Sequence, residues 1–176
     1  MMRDAQQDAA SVVTTLFEHN VWANLKLLDF CEQLSDEQLD TTAIGCFGSI
    51  RDTLLHIVGA EVGYVQRVNG RLPGKPPAED GFPGFASLRQ DARWASDELK
   101  ELARTARAGT TVRQQPPRQR VAYPLASLIV QAVSHSTEHR TQVSAIITQL
   151  GLEPPDLSGW SYMRAMGELQ DWGEEA

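Results

Sequence analysis

Two histidines stand four residues apart in the longest apolar-periodic segment of the chain, His135 and His139 within Ser134-His-Ser-Thr-Glu-His-Arg140. Leu125, Leu128, Ala132, His135, His139, Val143, Ile146 and Leu150 recur at three- and four-residue steps, so a helix turns both imidazoles toward a core. A neutral imidazole in an apolar setting needs a donor and an acceptor for its ring nitrogens, and two rings one turn apart can meet that need on a metal ion. His56 lies in a second apolar stretch, Leu54-Leu-His-Ile-Val58, which a neighbouring helix can bring to the same level. Three histidine ligands leave one coordination position for water or substrate, the pattern of catalytic rather than structural zinc. Taken alone, His56 also reads as a core histidine bonded to a backbone carbonyl or a carboxylate.

Other titratable residues compete for a role. His19, in Phe17-Glu-His-Asn-Val-Trp-Ala-Asn24, falls where polar residues interrupt the first apolar stripe; it reads as a support for a ligand, a cavity lining or a solvated position. Glu61, in the apolar run after His56, reads as a carboxylate that orients a ligand histidine, or as a boundary residue. His135 to His139 spells H-x-x-E-H, the inverzincin peptidase pattern with Glu138 as general base. That pattern arises by chance in histidine-bearing helices, the chain is far smaller than those peptidases, and Glu138 sits about 100° around the helix from His139. No catalytic residue is therefore assigned, Glu138 being the single candidate. Cys31 and Cys46 are too far apart for a C-x-x-C motif and read as free packing thiols, one of which could approach the site.

Four long helical segments are predicted to position these residues, with no stretch alternating long enough to be a strand. The first runs from about Ala9 to Gln33 with Val12, Leu16, Ala23, Leu27 and Cys31 at helical spacing. Ser35 and Gln38 form a capping box for a short turn, Ser49 caps the second long helix, and Gly70 closes it. The Pro/Gly-rich stretch Arg71 to Gly84, with Pro73, Pro76, Pro77 and Pro83, reads as a crossover loop. Ser87 with Gln90 opens the third helix, which carries Leu88, Trp94, Leu99 and Leu102 and fades near Ala108 and Gly109. The fourth starts after Pro124 and ends at Leu150, with Gly151 in the left-handed position and Pro154 and Pro155 preventing continuation. Helices of matched length favour lateral packing, so the expectation is an all-α four-helix bundle in one domain over residues 1–176. The apolar tail with Trp160, Tyr162, Met163, Met166 and Trp172 is expected to pack across the bundle or a second subunit.

Length and charge narrow the function. At 176 residues the chain can bury a sizeable core without disulfides or a structural metal. A net charge of −7, from 16 basic against 23 acidic residues, repels a phosphate backbone, so nucleic acid is not expected as a partner. Arg113, Arg118 and Arg120 around Pro116 and Pro117 read as a solvated loop. A polar N-terminus and no membrane-length apolar run predict no membrane partner and a cytoplasmic protein.

Taken together, Leu16-Phe-Glu-His-Asn-Val-Trp-Ala-Asn24, Leu54-Leu-His-Ile57, His135-Ser-Thr-Glu-His-Arg-Thr-Gln-Val143 and Gln149-Leu-Gly-Leu-Glu-Pro-Pro-Asp156 resemble the DinB-like family of small metal-binding four-helix proteins. The third block is the most specific: family members commonly show H-x-x-x-H-R-G-Q there, and Thr141 stands in place of the glycine. The resemblance spans nearly the whole chain. It implies an up-down-down-up bundle, a divalent metal, zinc or nickel most often, on His56, His135 and His139, and a homodimer. It further implies a thiol S-transferase that joins a low-molecular-weight thiol such as bacillithiol, mycothiol or glutathione to an electrophilic small-molecule substrate in detoxification or stress response. The alternatives are a hydrolase in which the same ligands activate water and a non-catalytic metal- or ligand-binding protein. Because imidazole binds metal only when neutral, release is expected as the pH falls below about 6.

Overall fold

The computed structural model describes residues 2–73, 81–107, 109–114 and 120–170, with side chains from Val12 onward. Among the described residues, helices α1 (Met2–Cys31), α2 (Asp36–Leu39), α3 (Ile50–Asn69), α4 (Phe85–Thr105), α5 (Leu125–Gln149) and α6 (Gly159–Ala165) make an all-α fold apart from one ribbon of β1 (Thr111–Arg113) and β2 (Ala122–Pro124).

Local chemistry sets most helix ends. Ser35 accepts the Gln38 amide while the Gln38 side chain accepts the Ser35 amide, closing the expected box on α2. Ser49 and Asp52 make the same reciprocal pair at the start of α3. Gly70 and Gly151 end α3 and α5 at φ of +72° and +76°, values that favour glycine because a Cβ would crowd the following carbonyl. The third long helix departs from expectation: Gly84 at φ +89° is its N-cap, so Ser87 lies inside the first turn. Helix α1 begins at Met2, seven residues before the expected Ala9.

Packing fixes the directions. Arg89 of α4 pairs with Asp29 and Glu32 near the end of α1, and Ser96 of α4 donates to the Phe17 carbonyl, so α1 and α4 are antiparallel. Leu54 and Val58 share one apolar cluster with Leu88 and Ala92, whereas Tyr64 and Val65 share a second with Leu99, so α3 and α4 run the same way. By the same two clusters α5 runs parallel to α1, Val143 and Ile146 joining Leu27 and Leu28, and Leu125 and Leu128 joining Phe17. The order is up-down-down-up; of the crossover loop expected over Arg71 to Gly84, residues 74–80, with Pro76 and Pro77, lie outside the described residues.

Between the two clusters lies a polar layer. Asn20 and Asn24 of α1, Glu61 of α3 and Ser136 and Arg140 of α5 are all buried at this level. Val12 and Leu16, expected on the stripe of α1, are 62% and 46% exposed.

The ribbon contradicts the expectation of no strand. Thr111 pairs with Pro124, Val112 with Tyr123 and Arg113 with Ala122; Val112 is buried in the second cluster and Tyr123 packs against it. Three-residue strands are too short to show alternation. Arg113 and Arg120 are exposed beside it; Pro116, Pro117 and Arg118 lie outside the described residues. In the tail, Ser158 caps α6 and Tyr162 is buried against His19 and Trp22 of α1, while Trp160 remains 69% exposed. Trp172 lies outside the described residues. Among the described residues no helix is long and apolar enough to cross a membrane.

Candidate metal centre

Antiparallel packing of α3 on α5 brings His56 level with His135 and His139, and each ring offers one nitrogen within 4.8 Å of the others. The ring centroids are 4.4 to 4.8 Å apart. His56 Nε2 and His135 Nε2 stand 3.0 Å from each other.

The chain fixes the tautomer of His139. Gln142, one turn on along α5, accepts the Phe47 backbone amide on Oε1 at 3.1 Å, so that atom is an acceptor. His139 Nδ1 lies 2.8 Å from the same oxygen and must donate to it, which leaves Nε2 with a free lone pair. Phe47 also stacks on His56 at 3.9 Å and 14°, and meets His139 edge-on at 5.4 Å. The loop before α3 thus closes one side of the trio with an aromatic wall.

Desolvation holds His56 below its ordinary imidazole range, with His139 adding repulsion. Desolvation also pulls His135 down to about 4, aided by His139 and His56. Rings held neutral at neutral pH are in the form that binds a cation. His135 Nδ1 is buried with no hydrogen-bond partner among the described residues, so protein partners alone leave the trio incompletely satisfied. Three imidazoles, one with a fixed donor lone pair, fit a borderline divalent ion such as zinc or nickel.

The remaining candidates separate from this set. His19 Nε2 donates to the Leu157 carbonyl at 2.9 Å and packs between Trp22 and Tyr162, tying the segment after α5 to α1. Glu138 is exposed on the outer face of α5. Cys31 is fully buried in the cluster of Leu27, Leu54 and Val58, and burial pushes its thiol up to about 12. Cys46 approaches the periphery, its Sγ 3.7 Å from the Gln142 carbonyl.

Glu61 is neither a boundary residue nor a partner of a ligand histidine; it is 0% exposed and anchors the polar layer. Its Oε1 accepts Asn20 Nδ2, Asn24 Nδ2 and Ser136 Oγ at 2.7, 3.0 and 2.6 Å. The two asparagine oxygens accept Arg140 Nη1 at 2.8 and 2.7 Å, so both amides point from cation to carboxylate. Burial raises the Glu61 carboxyl and lowers Arg140 to about 10; the donors around Glu61 and the charge of each oppose those shifts. Ser136 and Arg140 each follow a trio histidine on α5, so the layer holds that helix in rotation behind His135 and His139.

Gln142, Phe47 and the asparagine pair were not singled out from sequence. Gln142 had a signal, its place three residues after His139 in the H-R-T-Q block. Phe47, in a loop, had none.

A family model described as the DinB family matches residues 1–174 of the 176-residue chain. No curated protein matches it.

Proposed function

The chain belongs to the DinB family, and on that premise we propose that it is a metal-dependent thiol S-transferase with a divalent ion, zinc or nickel, on His56, His135 and His139. The observation that carries this reading is the convergence of three imidazoles from α3 and α5, one of them hydrogen-bonded through Nδ1 to Gln142. When bound, such an ion supplies the positive charge that keeps a small thiol as thiolate, the nucleophilic form, at neutral pH. His139 is oriented by Gln142, and Phe47 shields one flank of His56 from water. The thiol comes from solution, because Cys31 is sealed in the core with its proton held tightly. Detoxification or stress response in the cytoplasm fits such chemistry. Val12 and Leu16, exposed one turn apart on α1, offer apolar surface to a homodimer.

The test is conjugation of several small thiols to a generic electrophile by metal-loaded protein, beside an ester and amide hydrolysis panel. Thiol consumption that His139→Ala abolishes is the expected result. Hydrolysis without conjugation would reassign the site to water activation, and silence in both assays would make it a binding protein.

A further inference from the structure

Packing between α3 and α5 continues past the histidines. One turn beyond His135, Gln131 Nε2 reaches the Tyr64 hydroxyl at 3.4 Å, and the Tyr64 ring meets His135 edge-on at 6.0 Å. The guanidinium of Arg67 lies over the same ring at 5.0 Å. Tyr64 and Arg67 line a cavity of about 390 Å³ together with Gln114, Tyr123, Ser127, Gln131 and one apolar residue, Leu128. The ribbon and the residue that follows β1 supply Tyr123 and Gln114 to this lining.

Arg67 is the unusual member. Its Nε is buried with no hydrogen-bond partner among the described residues. A desolvated guanidinium N–H without an acceptor is costly, and such groups are ordinarily matched by a carboxylate or phosphate. The rest of the lining presents phenol, amide and hydroxyl groups that can complete the shell of a planar anion. The Tyr64 ring centroid lies 6.0 Å from that of His135 and 5.0 Å from the Arg67 guanidinium, which puts the trio and Arg67 within reach of the sulfur and a carboxylate of one small thiol.

We propose that this cavity is a carboxylate-binding subsite for the acidic end of the thiol whose sulfur reaches the histidine trio. The assignment rests on the thiol-transferase reading for its occupant, and it makes peptide-like acidic thiols better substrates than neutral sugar-linked ones. Arg67 acts there as a binding residue, and Tyr64 as the partition between carboxylate and metal.

The probes are S-methylglutathione, which keeps both carboxylates and has no free thiol, and its diethyl ester, titrated calorimetrically into metal-loaded protein. Wild type should bind the acid at least about tenfold more tightly than the ester, the worth of one charge-assisted hydrogen bond. Arg67→Gln should erase most of that preference, and Arg67→Lys, which keeps the charge and loses the fork, should recover part of it. His139→Ala, folded by circular dichroism, should retain the preference, because the probe needs no metal-held sulfur; the subsite thus stands or falls apart from the transferase reading. Equal binding of acid and ester, no binding of either at millimolar concentration, or a preference that survives Arg67→Gln would overturn the proposal. Displacement of the acid by inorganic phosphate more effectively than by succinate would also overturn it, in favour of a phosphate site.

Discussion

His139 is the ring whose orientation the chain controls most closely, because Gln142 takes its Nδ1 proton and is itself held by the Phe47 amide. Removing that support with Gln142→Ala should weaken metal affinity by about 10- to 100-fold in competition with a calibrated chelator, and unchanged affinity would contradict the fixed tautomer. Protons should compete late. His56 and His135 are held below the ordinary imidazole value, so bound metal should persist below the pH of about 6 expected from ordinary histidines and be lost as the pH approaches 4. The sign for the metal-free protein follows from the same shifts. Unfolded imidazoles take up protons near 6.5 and the folded His135 only near 4, so stability should fall as the pH drops through that window, seen as a declining urea midpoint. A midpoint flat between pH 6.5 and 4 would contradict it. The ligands were legible because apolar neighbours at helical spacing made His56, His135 and His139 conspicuous; Phe47 was not, since its role depends on where a loop lands in space.

Among the elements, α3 and α5 carry the site and the polar layer behind them sets their rotation. Glu61→Leu leaves Arg140 buried without its carboxylate and should destabilise by about 3–5 kcal/mol in chemical denaturation, whereas Glu61→Leu with Arg140→Met should cost far less than the two single changes together. Additive losses would show that the asparagines do not couple the two charges. Ser49→Ala removes the reciprocal cap of α3 and should cost about 0.5–2 kcal/mol while leaving metal stoichiometry unchanged. Caps and closing glycines are local chemistry, which is why Ser35, Ser49, Gly70 and Gly151 could be read directly from the chain. Asn20 and Asn24 look like interruptions of an apolar stripe until Glu61 and Arg140 are seen facing them, because a buried network is defined by partners distant in sequence. Gly84 displaced Ser87 as the start of α4 for a comparable reason: a left-handed residue before the helix outweighed a serine within it. The three-residue strands and α6 were too short for periodicity to register.

For the whole molecule, two apolar clusters close the bundle on either side of the polar layer, so folding is expected not to depend on a metal. Stripping with a chelator should leave the helical circular dichroism intact and lower the thermal midpoint by several degrees, as linkage gives about 2.7 kcal/mol at 100-fold excess over Kd. Loss of helical signal on stripping would make the ion structural. The up-down-down-up order, implied by resemblance and a Pro/Gly-rich connection, is realised by α3 and α4 running parallel, and it places His56 opposite the α5 pair. Whether those rings share one ion is decided most directly by anomalous diffraction from metal-loaded crystals. A single peak bonded to His56, His135 and His139 at about 2.0–2.1 Å for zinc is the expected result; an empty centre, or rings turned to separate partners under saturating metal, would contradict it.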